Sequence, residues 1–112
     1  NWVLKAQWAG IRKVRAGVMA REVDQACRSI INKAGHGKTF GHGTGHGIGY
    51  YIHVGPRVAG TSPDKLMVNN VITIEPGIYI KGFGGVRIED DVLVTQKGGL
   101  VLNRAEKKLL EL

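Results

Sequence analysis

Cysteine occurs once in this chain, at Cys27, so no disulfide can form within it and a reducing, cytoplasmic setting is expected. That residue falls in an apolar helical stripe, which points to packing rather than to nucleophilic chemistry. No apolar run reaches transmembrane length and no signal-peptide pattern is found, so no membrane partner is expected. Acidic residues are scarce as well: 9 against 16 Lys and Arg give a formal net charge of +7. The excess admits an anionic partner, or balancing acidic residues on a segment outside the chain. The basic residues are spread out, however, the two Trp, three Tyr and two Phe do not interleave with them, and no nucleic-acid motif appears. Nucleic acid is therefore not expected as a partner. The chain begins at Asn1, without Met and inside what reads as a helix, as a cut fragment does.

What is present suits one ordinary globular domain, spanning 1–112. The composition is 43% hydrophobic and 22% charged over 112 residues, and a chain of this size buries roughly two-thirds of its surface on folding. Glycine is frequent at 17 residues, clustered between Gly35 and Gly49 and between Gly77 and Gly85. Apolar runs interrupt both clusters, which marks tight turns rather than a linker.

Apolar residues at Val3, Leu4, Ala6, Trp8, Ala9, Ile11 and Val14 predict a helix over residues 1 to about 16, ended by Gly17. A second stripe, Val23, Ala26, Cys27, Ile30, Ile31 and Ala34, predicts a helix from about Ala20 to Ala34 with Gly35 just past its end. Glu22 and Asp24 are placed in its first turn, where the helix dipole favours negative charge. Strands follow: GHGTGHGIGYYIH from Gly41 to His53, VITIEPGIYI from Val71 to Ile80, GVRIEDDVLVT, and LVLN from Leu100 to Asn103. Val54 to Lys65 reads as a polar loop, and Arg104 to Leu112 as a short helical tail. Two helices followed by hairpin-linked strands predict an α+β fold, with both helices on one face of a mainly antiparallel sheet.

The chemistry concentrates in three strands. His42, His46 and His53 lie within a glycine-rich stretch, and in an unbroken strand His42 and His46 share a face with His53 on the other. Glycines make a bulge there plausible. Glu75 and Glu89 each sit in an otherwise apolar strand, where a carboxylate is costly unless paired or bound to a cation. The alternative is that both reach solvent at strand ends. Arg87 precedes Glu89 by two residues on the same face and can satisfy one of them. One imidazole and two carboxylates make a reasonable ligand set for Mn(II), Co(II), Fe(II) or Zn(II), and carboxylate-rich sets often hold two ions that activate water.

Three ordered segments, GTGHGIGYYIHVGPR, TIEPGIYI and GGVRIEDDVLVT, resemble in order and spacing the signatures of the pita-bread metallopeptidases. The opening run VLKAQWAGIRKVRAGVMAREVD resembles the family's helices before its histidine strand. Val86-Arg87-Ile88-Glu89-Asp90 is similar to the proline-specific members, the Xaa-Pro aminopeptidases and Xaa-Pro dipeptidases, rather than to methionine aminopeptidases. The resemblance implies hydrolysis of an Xaa-Pro bond at the N-terminus of a peptide or in a dipeptide, through water activated by two divalent ions. Mn(II) is the first expectation, with Co(II) or Zn(II) as alternatives.

Carried over residue by residue, the resemblance makes His46, Glu75 and Glu89 metal ligands, with Glu89 shared by both ions. Glu75 becomes the proton shuttle as well. It implies that His53 contacts the scissile carbonyl, that His42 lines the substrate pocket, and that Arg87 supports Glu89 or a product carboxylate. His36 matches no functional position. Asn69-Asn70 departs from the pattern, as a changed turn. The family's two aspartate ligands come from an earlier strand pair that this chain lacks. It therefore reads as the second half of a pita-bread catalytic domain, without the first half and any N-terminal domain. Alone it is expected to be inactive, to hold at most one ion weakly, and to pair with the missing half or with itself. The full-length parent is expected to act on proline-containing peptides as a homodimer. The alternative carried forward is a non-catalytic pita-bread module that binds proteins.

Overall fold

The structure is a computed structural model that describes residues 2–36, 38, 40–48, 54–80, 82 and 84–103, with the backbone alone at 54, 55 and 80. Among the described residues two helices, α1 (Trp2–Lys13) and α2 (Ala20–Lys33), precede seven strands. α1 buries Val3, Ala6, Gly10 and Ile11 together with one polar residue, Gln7. It ends near Lys13 rather than at residue 16 because the chain beyond is claimed by the sheet side of the molecule. The Ala16 N–H donates to Thr95 O at 3.0 Å and the Gly17 N–H to Leu66 O at 2.8 Å. Gly17 adopts φ +92, a conformation that suits glycine.

α2 starts where Glu22 reaches back, its Oε2 accepting the Met19 N–H at 2.9 Å. It closes with paired reverse bonds, Gly35 N–H to Asn32 O and His36 N–H to Ile31 O, around Gly35 at φ +82. His36 thus has a place in a helix cap. The helices cross closely at Gly10: a Cβ there would sit 2.4 Å from the Cys27 Sγ. Cys27 is fully buried, as its stripe predicted.

A five-stranded sheet has the order β2 (Val54–Val58), β1 (Gly45–Gly47), β3 (Val71–Ile74), β6 (Asp90–Val94), β7 (Gly99–Val101). A separate two-stranded ribbon is formed by β4 (Gly77–Ile80) and β5 (Gly84–Arg87). Every one of these pairings is antiparallel. α1 packs toward β3 and β7, and α2 toward β2. Ile31 and Leu66 meet Ile72, Ile74, Val92 and Val94 in the core between the layers. The α+β class and the helix-on-sheet arrangement are as expected.

Three expectations are corrected. The segment read as a loop from Val54 holds β2, which pairs with β1; Gly55 and Pro56 disguised a strand that lies at the sheet's edge, where proline is tolerated. Val71 to Ile80 is two strands, broken at Glu75-Pro76, since Pro76 has no N–H for the ladder. The run containing Glu89 is likewise two strands, β5 and β6, broken at Ile88-Glu89. In addition, Asp24 lies beyond the first turn of α2, and only Glu22 is placed there. Asn69 lies in a turn, at φ 72, with Asn70 Oδ1 accepting the Met67 N–H at 2.8 Å. The tail from Arg104 lies outside the described residues.

Candidate metal centre

The two breaks fall opposite each other. Ile74 faces Asp90 across β3 and β6, and Gly77 faces Arg87 across β4 and β5. One further step along either ladder sets Glu75 against Glu89. Directly opposed residues share a face with Cβ atoms about 5 Å apart, and like charges so placed repel. Glu75 is half-buried with its side chain 15% exposed, while Glu89 is exposed. The expectation of two carboxylates sunk in strands therefore gives way to its alternative: both occupy the step where the ribbon leaves the sheet.

His46 joins them from β1. Its N–H donates to Thr73 Oγ1 at 3.0 Å, and β1 and β3 approach so closely that a Cβ on Gly45 would lie 1.7 Å from Thr73 O. Only glycine permits this contact. The ladder shifts between His46 and Gly47, a bulge beyond both His42 and His46. His46 Nδ1 lies 3.0 Å from Gly47 O, and a carbonyl can only accept, so this bond puts a proton on Nδ1. In the neutral ring Nε2 then offers its lone pair, 3.6 Å from Glu75 Oε2.

His42, Gly43, Gly45, His46, Arg57, Ala59, Glu75 and Arg87 line one pocket of about 410 Å3. His42 and His46 thus line one cavity, but not through strand parity: the strand expected from Gly41 begins at Gly45, and His42 lies before it. His42 Nδ1 donates to Gly43 O at 2.7 Å, leaving Nε2 to accept from the Tyr79 hydroxyl at 2.9 Å. With both nitrogens engaged, this ring suits a pocket wall better than a ligand position. Tyr79 and Arg57 were missed in the sequence. Arg57 pairs with His46 in the β1–β2 register, invisible once β2 was read as a loop. His53 lies outside the described residues.

Beneath the pocket is a second polar group that the sequence did not disclose. Asp24 is fully buried, and its carboxylate accepts from Arg28 Nε at 3.0 Å and from Thr44 Oγ1 at 2.8 Å. The spacing of four residues on a helix, acid first, was the available signal.

The donor chemistry fits a divalent cation in part. A neutral imidazole nitrogen and two carboxylates make an N, O, O set suited to several first-row metals. The Nδ1 bond to a carbonyl is the arrangement that usually orients a ligating histidine. Partial desolvation where the strands step apart and the facing charge of Glu75 raise the Glu89 carboxyl above its ordinary 4.5, against the lowering influence of Arg87 and His46. A cation between the two carboxylates would relieve that repulsion. The set is incomplete in this chain, since among the described residues no three His, Cys, Asp or Glu side chains are grouped to hold a metal.

Known proteins resemble this chain in sequence and fold. The chain is 44% identical over 108 residues to the Xaa-Pro dipeptidase of Pyrococcus horikoshii, a match covering 96% of this chain and 31% of that protein. The Xaa-Pro dipeptidase structure from Bacillus anthracis superposes with a TM-score of 0.95 at 47% identity, over 98% of this chain and 31% of the other. The X-Pro aminopeptidase structure from Thermotoga maritima gives a TM-score of 0.92 at 38% identity, over 96% and 30%. The chain thus spans about 31% of the length of such relatives, and it has their pita-bread fold. The family model for metallopeptidase family M24 matches residues 1–96, and the chain belongs to that family.

Proposed function

We propose that this chain forms the second half of the catalytic domain of an exopeptidase that hydrolyses the Xaa-Pro bond at the N-terminus of peptides or in dipeptides. The observation that carries this reading is the acceptor cluster at the sheet step: His46 Nε2 faces Glu75 Oε2 at 3.6 Å, with Glu89 opposed to Glu75 in the ladder. With two carboxylates opposed and the lone pair of a neutral His46 ring beside Glu75, a bound cation would relieve the crowding of acceptors. His46, Glu75 and Glu89 would hold it, and two aspartates from the first half of the domain would complete a pair of sites, with Mn(II) favoured over Co(II) and Zn(II). Bound divalent ions supply Lewis acidity and lower the pKa of water.

The chain's own side chains do the rest. Half-buried Glu75 would take a proton from the water that attacks the Xaa-Pro carbonyl carbon and pass it to the proline nitrogen as the C–N bond breaks. His42 presents a ring fixed by Gly43 and Tyr79 as one wall for the substrate. Arg87 and Arg57 bring positive charge to the same pocket, suited to the carboxylate of a dipeptide. His53 is assigned to the scissile carbonyl by the family resemblance. The relatives named for Xaa-Pro substrates support this class of bond. By itself the chain is inactive, since two of the ligands belong to the missing half, and the parent acts as a homodimer.

The test is Xaa-Pro dipeptide hydrolysis by the full-length parent with added Mn(II), before and after Glu89→Gln. Activity that needs the metal and disappears in the variant supports the reading. A metal-loaded parent that hydrolyses no Xaa-Pro peptide overturns it and leaves the protein-binding module.

A further inference from the structure

We propose that Asp24, Arg28 and Thr44 are positioning residues, which hold the His42 loop and the Glu75 backbone in place from beneath the pocket. The inference rests on the reading of His42 and Glu75 as site residues. Asp24 is fully buried on α2. Its two oxygens accept from Arg28 Nε and a terminal guanidinium nitrogen at 3.0 and 3.1 Å. Oδ1 also accepts from the Thr44 backbone N–H at 3.2 Å and from the Thr44 hydroxyl at 2.8 Å.

Arg28 then reaches forward. It donates to Phe40 O at 2.9 Å and to His42 O at 3.0 Å, with its guanidinium 4.2 Å from the Phe40 ring centroid. Thr44 reaches the other way: its carbonyl accepts the Glu75 N–H at 2.6 Å. A continuous line of bonds thus runs from one helical turn to both site residues. Gln7 of α1 adds a further tie, its Nε2 donating to Ile74 O at 3.3 Å just before Glu75.

Stability is a poor reason for this group. Apolar residues of the same shape often serve as well as a buried ion pair. What the planar guanidinium fork supplies is direction, fixing two carbonyls of a glycine-rich loop that no ladder holds before Gly45. Displacements near 1 Å at a reacting site cost on the order of 100-fold in rate, so such fixing has a chemical use.

The experiment compares four variants of the full-length parent. Thr44→Val removes the hydroxyl at constant volume, and Arg28→Lys keeps the charge without the fork. Thr44→Ser is the rescue, and Ile31→Val trims α2 in the core at a residue whose side chain makes none of these hydrogen bonds. Co(II) affinity, the Co(II) visible spectrum, kcat and KM, and the His42 ring 15N resonances of the metal-free protein are measured.

Thr44→Val and Arg28→Lys are expected to weaken Co(II) roughly tenfold and lower kcat by a similar factor. KM should change little, Thr44→Ser should restore both quantities, and Ile31→Val should leave both unchanged. Wild-type affinity and kcat in Thr44→Val and Arg28→Lys overturn the inference, whatever their melting temperatures. If the parent neither binds Co(II) nor hydrolyses substrate, the reading of the site fails, and the His42 resonances still decide the positioning role. Resonances displaced in Thr44→Val and Arg28→Lys but not in Ile31→Val uphold it, and resonances that stay put reject it.

Discussion

Two groups of carboxylates in this molecule are handled in opposite ways. Asp24 is sealed under the pocket and surrounded by donors: a guanidinium, a hydroxyl and a backbone N–H. Glu75 and Glu89 face each other at the sheet step, and the nearest ring nitrogen to Glu75 is itself an acceptor. A carboxylate ringed by donors of its own chain needs nothing more, while two carboxylates set opposite each other are eased by a positive charge from outside. Burial runs in parallel, complete at Asp24, partial at Glu75 and slight at Glu89, but it is the partners that decide what each carboxylate can do.

The comparison can be broken most severely at Asp24. Asp24→Ala leaves Arg28 without its partner beneath the pocket, and a loss of about 3 kcal/mol is expected from breaking such a pair, read as a lowered denaturant midpoint of the parent. Glu75→Ala should do the reverse. Metal affinity is expected to fall by at least roughly 100-fold, measured by titration with Mn(II), while the metal-free melting temperature moves little, because the side chain leaves only acceptors behind.

A subtler effect belongs to Cys27, packed between the helices beside Asp24. Burial above all pushes its thiol up to about 12, with Asp24 adding to the rise. The folded protein should therefore resist alkylation at pH 8. The sign follows from proton binding: between 9, the ordinary value, and about 12 the unfolded chain has lost a proton that the folded chain keeps. Stability should fall as pH rises through that window, and Cys27→Ala should flatten the fall in urea titrations.

The smallest effect concerns Glu89→Gln in metal-free protein. The raised Glu89 carboxyl means that the folded state gains a proton before the unfolded state does as pH falls toward 4.5, which adds stability on the acid side. Removing the charge should raise metal-free stability at pH 7 by no more than about 0.5 kcal/mol, because the side chain is exposed and solvent screens it. A clear destabilisation instead would mean that Glu89 has a partner within the protein and belongs with Asp24.

Local pattern disclosed the helices well. The stripe through Val23, Cys27 and Ile31 is buried as its period requires, and the Gly35 stop is a matched pair of reverse bonds. The strands were legible as apolar runs but not in their breaks. Pro76 was in plain view, yet the apolar residues on either side carried the strand through it. β2 was hidden because its Gly55-Pro56 start resembles a turn. At the site, residue type pointed to His46, Glu75 and Glu89, whereas the opposition of the two glutamates depends on register, which emerges only when strands pair. Asp24 shows the sharper difficulty. Its role depends on Thr44, twenty residues away, and no local spacing announces such a contact.

The unbroken register across the step has an evolutionary corollary. Because the pairing runs on from β3–β6 into β4–β5 without a slip, deleting one residue between Gly84 and Glu89 would turn that glutamate to the opposite side of the ribbon. Length changes between Ile80 and Gly84 would leave the facing pair where it is. Insertions and deletions tolerated in descendants of this gene should therefore gather at the ribbon's tip and be absent from its base.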